Sequence, residues 1–189
     1  MGQTLHISPS FGADLRSLRK ARGLTLTDLA ERMQRSVGWL SQVERDLSTP
    51  TVADLRRLAD LLDVPVSMLT TRDPAQAEEA GYVVRAGHHR EIGREIAGLD
   101  EVLLSPDLTD DFEMVRSVFA PGSGTYGQVR RATQEVAVMV SGYLTLTIGG
   151  RTFTVGPGDS FRIRGEPFTW SNPHDTPAEA IWVIAPPVY

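Results

Sequence analysis

The stretch TLTDLAERMQRSVGWLSQVERDLSTPT, residues 25–51, decides the first half of the fold. Three hydroxyl residues in it, Thr25, Ser36 and Thr51, each stand just before an apolar-periodic run, the position of a helix N-cap. Thr25 has Asp28 three residues on, the spacing of a capping box, and Leu26, Leu29, Ala30 and Met33 then recur at helical intervals. Ser36 opens a short helix, VGWLSQVER, with Leu40 and Val43 on its inner side. Thr51 opens another, carrying Val52, Leu55, Leu58, Ala59 and Leu62. Upstream, Leu15, Leu18 and Arg19 mark a helix that Gly23 ends, and Pro65 to Leu69 predicts a short fifth. Ala30 is small enough for two helices to cross closely there. The helix begun at Ser36 then projects its N-terminal end outward, a shape that enters a DNA major groove.

Beyond Leu69 the pattern changes. TTRDPAQAEEAG (residues 70–81) is polar and punctuated by proline and glycine, so residues 71–81 read as a linker, with a helical extension expected from Ala75 to Ala80. The period then becomes two. EMVRSVFAPG, VAVMVSG, YLTLTIGG, RTFTVGPGD, SFRIRGEPF and EAIWVIAPP are short strands between Gly/Pro turns, and residues 82–104 are expected to add one or two edge strands. Such spacing predicts an antiparallel barrel or double-sheet jelly roll. The chain is therefore expected to be a two-domain α+β protein.

Composition narrows the function classes. The 189 residues include no cysteine, which excludes disulfides and thiolate metal sites. No apolar run approaches the roughly 20 residues of a membrane span. The opening MGQTLHISPSFGADLRSL lacks the basic-then-apolar layout of a signal peptide, so a cytoplasmic protein without membrane association is expected. Residues 1–72 hold 10 Arg or Lys against 8 Asp or Glu, whereas residues 73–189 hold 9 against 16, so the front is mildly basic and the rear acidic. That asymmetry suits a front half meeting a polyanion.

The run from Gly23 to Thr70, including Glu44-Arg45 and Pro50-Thr51, resembles the helix-turn-helix domain of the phage Cro/repressor (xenobiotic-response-element) class, over residues 12–70. One departure is Gln34, which stands at a turn position usually held by glycine and is expected to adopt a left-handed conformation costing about 1 kcal/mol. The resemblance implies double-stranded DNA as partner. Val37, Gly38, Trp39 and Gln42 would face the groove, with Gln42 suited to an adenine edge and Val37 to a thymine methyl. Arg35, Ser41, Arg45 and Ser48 would touch phosphates, and Thr25 and Ser36 complete the DNA-binding set. Trp39 could instead pack partly against the preceding helix.

A second resemblance covers about residues 105–186. Pro121-Gly122, Glu135 seven residues before Gly142, Gly158-Asp159, and then Gly165, Pro167, Phe168 and Asn172 resemble the two motifs of cupin barrels. This implies an all-β cupin (jelly-roll) barrel over residues 82–189, following an all-α five-helix domain, a layout found among bacterial regulators of amine, amino-acid and sulfur metabolism. Metal-binding cupins place two histidines and a glutamate in the first motif and a third histidine in the second. Here the first pair of slots falls on Val129 and Arg131, or with a one-residue shift on Gln128 and Arg130, and the last on Phe168. Glu135 alone keeps a ligand. His88-His89, expected in a surface turn, and His174 lie outside the slots. No metal and no cofactor are expected.

What survives suits a sensor. An inward arginine, Arg131 or Arg130, would serve Glu135 as counter-ion or bind the carboxylate or phosphate of a small effector. Phe168 would form an apolar wall, with Tyr126, Met139, Phe161, Trp170 and Trp182 as neighbours. The alternative is a solid barrel with both arginines outside. The expected function is a DNA-binding regulator, a repressor, acting as a homodimer on a near-palindromic operator and answering to a small metabolite, an anionic one among the options; no catalytic residues are expected. Two rivals are a metal-dependent cupin enzyme fused to a DNA-binding domain and an antitoxin-like DNA-binding protein.

Overall fold

A computed structural model of the chain describes residues 6–7, 11–71, 79, 81–92, 96–106 and 108–188. The chain divides into two compact units, residues 1–92 with 105–110 and 189, and residues 93–104 with 111–188. Residues 82–92, expected with the barrel, thus group with the helices. The reason lies in a buried ion pair: Arg90 Nη2 donates to the fully buried Asp14 at 2.7 Å.

Among its described residues the first unit holds four α-helices: α1 (Phe11–Ala21), α2 (Leu26–Met33), α3 (Val37–Val43) and α4 (Val52–Leu62). The expected fifth helix is a single 3-10 turn at Val66–Leu69. Its four residues follow Pro65, which offers no side-chain cap, and lead directly into β2 (Thr70–Thr71). That strand pairs with β1 (His6–Ile7), so the assigned linker begins as paired strand, while the helical extension expected from Ala75 to Ala80 falls mostly outside the described residues. A further short strand, β3 (Arg90–Glu91), belongs to this unit. Leu15, Leu18, Leu29, Leu40, Val43, Leu58 and Leu62 are fully buried and form its core.

The capping boxes form as the spacing requires. Thr25 Oγ1 accepts from Asp28 N at 3.1 Å while Thr25 N donates to Asp28 Oδ2 at 2.8 Å, and Thr51 and Asp54 repeat the exchange. Gln34 ends α2 at φ 56° and ψ 39°, the left-handed conformation, with its N–H returned to the last carbonyls. A side chain with a Cβ is strained there, so Gln34→Gly is expected to raise stability by up to about 1 kcal/mol, less glycine's larger entropy loss on folding. Urea denaturation reads the shift.

The second unit is a double-sheet sandwich. Its larger sheet runs β4 (Leu99–Leu103), β5 (Glu113–Phe119), β11 (Ala178–Ala185), β6 (Gln134–Ser141) and β9 (Ser160–Arg164), all antiparallel. The smaller sheet is β10 (Phe168–Ser171), β7 (Leu144–Ile148) and β8 (Arg151–Val155). Alternation sends Val115, Phe119, Ala137, Met139, Leu144, Leu146, Trp170, Ala180 and Trp182 inward. Gly142 turns the chain between β6 and β7 at φ 69°, and a Cβ there would overlap the Pro177 carbonyl oxygen. Asn172 is fully buried and ties three segments together, donating to Phe119 O at 3.0 Å and Thr176 O at 2.9 Å and accepting from His174 N.

Candidate functional site

Two surfaces carry the chemistry. The first is α3 with its approaches. Ser36 Oγ accepts from Trp39 N at 3.1 Å, which fixes the start of the helix after the Gln34 turn. Leu40 and Val43 are fully buried against the other helices, so the opposite side faces solvent. Val37, Gly38 and Gln42 are exposed there, Trp39 and Ser41 half-buried. Thr25, a cap residue, is exposed, and Ser48, after α3, is half-buried. Arg45 is exposed and reaches back to Ser41 O at 3.1 Å.

Arg35 is held in place rather than swinging free. Its Nε and Nη2 donate to Asp54 at 3.2, 2.9 and 3.1 Å, and its guanidinium lies 5.0 Å from the centre of the Trp39 ring. Trp39 is thereby stacked on the approach to its own helix, a cation–π contact. Asp54 works twice, capping α4 through Thr51 and pairing Arg35. Burial pushes its carboxyl up, but the Thr51 hydrogen bonds and the Arg35 guanidinium outweigh that and hold it below the ordinary aspartate value. A depressed folded-state value gives stability that is present above the unfolded value and lost as pH falls through the folded one. Acid denaturation of the helical unit between about pH 5 and pH 2 is therefore expected to be steeper in the native chain than in Asp54→Asn, as circular dichroism would record.

The far end of α3 is clamped by a pair that the sequence reading missed. Arg19 of α1 donates to both oxygens of Glu44, at 2.6 and 3.0 Å, and to Leu24 O at 2.8 Å, and both side chains are buried. The Glu44 hydrogen bond raises the already high Arg19 value further. No local spacing signals this pair, because its members are 25 residues apart.

The second surface is a cavity of about 30 Å³ between the two sheets, room for roughly two waters. Its walls include Phe119, Phe168, Trp170 and Trp182, and its polar groups are Arg131, Glu135 and Glu101. Glu135 is buried, accepts from Thr133 Oγ1 at 2.6 Å and lies 3.8 Å from Arg131 Nη1. Glu101 accepts from Ser117 Oγ at 2.6 Å. The Trp182 indole N–H is buried and donates to no acceptor among the described residues.

The choice between arginines resolves to Arg131. Arg130 is turned to solvent and donates to Gly165 O at 3.2 Å. Three expected wall residues are displaced. Tyr126 is 95% exposed on a loop; Phe161 stands behind Trp182, edge-on at 5.1 Å; Met139 is buried in the core but does not border the cavity. His88 is exposed beside the Gly87 turn.

A metal ion does not fit this lining. Val129 and Phe168 occupy two ligand slots and pair through their backbones at 2.8 and 2.9 Å, while Arg131 puts a cation beside the one carboxylate that remains in the motif. The shifted slots, Gln128 and Arg130, face solvent. A fixed guanidinium repels a divalent ion and offers it no lone pair.

Comparison with known proteins agrees with both halves. Residues 10–71 match the helix-turn-helix domain family and residues 115–184 the cupin domain family. The HTH-type transcriptional regulator PuuR of Escherichia coli is 24% identical over 165 residues, covering 85% of this chain and 86% of that protein. The E. coli regulator SutR is 47% identical over 53 residues, 28% of this chain and 30% of its own. A transcriptional regulator from Vibrio cholerae, known from its crystal structure, aligns over 95% of this chain and 97% of its own at 18% identity and a TM-score of 0.44. Capped helices presenting α3 and a sandwich carrying the cupin landmarks agree with the two family matches: the chain carries a helix-turn-helix domain followed by a cupin domain, and over most of its length it is similar to a transcriptional regulator.

Proposed function

We propose that this regulator is a repressor that binds a near-palindromic operator as a homodimer in the cytoplasm, and that its cupin cavity takes the polar head of a small metabolite instead of a metal. In this reading Gln42 and Val37 read base edges, Arg35, Ser41, Arg45 and Ser48 position the domain on phosphates, and Trp39 is braced by Arg35. A dimer seated on a promoter blocks polymerase without further contacts.

The observation that carries the sensing role is the convergence of Arg131, Glu135, Glu101 and an unpaired indole N–H inside an aromatic-walled cavity. A barrel packed only for stability has no use for such groups. Two carboxylates against one guanidinium leave the lining net negative, which disfavours the anionic effector expected at first and favours a ligand with a cationic or neutral polar head. The volume holds a head group only, so a whole metabolite must widen the cavity as it enters.

Thermal unfolding of the full chain with millimolar panels of small amines, neutral polyols and carboxylates tests this. A compound bearing an amine or hydroxyl head is expected to raise Tm, and to weaken operator binding by 5- to 150-fold through a coupling of about 1–3 kcal/mol. Glu135→Gln should abolish both responses. A chain that answers to no compound, or that purifies with stoichiometric metal on elemental analysis, contradicts the proposal.

A further inference from the structure

The central strand β6 is apolar on both of its faces. Ala137 and Met139 point into the sandwich, whereas Val136, Val138 and Val140 are 50%, 41% and 50% exposed on the outside. On the neighbouring strand β11, Val183 pairs with Val136 and is 41% exposed, and Ile181 pairs with Val138 and is half-buried. Met114 and Val118 continue the same face across β5, where they pair with Val183 and Glu179. A strand with one solvated face normally alternates apolar with polar, and near-continuous apolar runs belong to strands covered on both sides. Because β6 lies between β11 and β9, the outward valines are not a property of a sheet edge.

We infer that the outer face of the larger sheet, centred on Val138 and Ile181, is covered by the same face of a second copy of this chain. The inference rests on the homodimer reading above and gives it a surface. Charge selects a second copy as the occupant. A two-fold axis sets each patch against itself, so unpaired charge near the centre would repel its own image. Here the centre is valine and isoleucine. The two ionised groups beside it, Arg116 and Glu179, already neutralise each other at 2.6 and 3.0 Å. The cations without such pairing across the face, Arg162 and Arg164, lie on the outermost strand β9. The size also matches. Five strands about 4.8 Å apart and up to eight residues long project to about 600 Å², and the corrugated accessible surface exceeds that projection, close to the roughly 800 Å² each partner contributes to a standard interface. Two such sheets stack face to face at about 10 Å.

The absence of cysteine makes a direct test clean. Val138→Cys, a small apolar replacement, and Phe153→Cys, on the exposed face of the smaller sheet, are made separately in the full chain. Each is treated with a short bismaleimide, and the native chain is sized by sedimentation equilibrium. A dimeric native chain, linkage of most of the Val138→Cys protein and little linkage of Phe153→Cys support the inference. A dimeric native chain in which Val138→Cys stays unlinked overturns this face and leaves the homodimer standing. A native chain that is monomeric both free and on operator DNA overturns the two together.

Discussion

Replacing Glu44 by alanine is expected to destabilise the helical unit by about 3–5 kcal/mol, enough to unfold much of it at physiological temperature. The buried Arg19 guanidinium would keep only its bond to Leu24 O and lose both charged partners on Glu44. Uncompensated burial of a cation is costly, whereas removing both charges together leaves none stranded. Arg19→Met with Glu44→Leu should therefore recover a large part of what Glu44→Ala loses. Urea unfolding of the helical signal, compared with the sheet signal of the cupin unit, reads the effect without requiring the two units to unfold together. Equal stabilities of Glu44→Ala and the native chain would show that the clamp on α3 carries no weight. Glu44 also follows directly on α3, so partial loss of DNA binding should accompany the instability.

The second large effect is expected on DNA. Gln42→Ala removes the exposed amide best placed for bidentate contact with adenine. Operator affinity should fall roughly 10- to 100-fold for each half-site that loses the contact, with discrimination relaxed at one base pair and kept elsewhere. Arg45→Ala should behave differently. Losing its phosphate contact should weaken all sequences alike and reduce the slope of log affinity against log salt by about one for each chain, about two for the dimer. Fluorescence anisotropy with operator variants at two salt concentrations separates these outcomes. Uniform weakening by Gln42→Ala would place the residue on the backbone and deny it a reading role.

The parts of this architecture legible from sequence are those whose causes are local. Thr25 with Asp28, Ser36 and Thr51 announce three helix starts because a cap lies next to the turn it caps. Gln34 was legible as a left-handed turn from the helix-turn-helix resemblance, in which that position usually holds glycine. The strands followed from a period of two, and the altered ligand slots from the resemblance to the cupin motifs, counted from Glu135. What was not legible depends on distant partners. Arg19 meets Glu44 across 25 residues, and Arg90 meets Asp14 across 76, the pair that carries residues near 90 into the helical unit. Arg130 and Arg131 could not be told apart because strand alternation begins only at Gln134. Their orientation is set by the bridge between Val129 and Phe168, which brings two separate segments together. Tyr126 was misplaced for the same reason, since loop residues follow no period. The fifth helix shortened to one 3-10 turn because four residues between Pro65 and a paired strand cannot complete an α-helical ladder.

Whether two copies of α3 read one operator is tested most directly by selection from a random duplex pool with the full chain. Enriched duplexes should carry a near-palindrome with half-sites about 34 Å apart, bind two chains each, and change at a single position of each half-site when Gln42→Ala performs the selection. An unenriched pool, or an asymmetric site holding one chain, would contradict it.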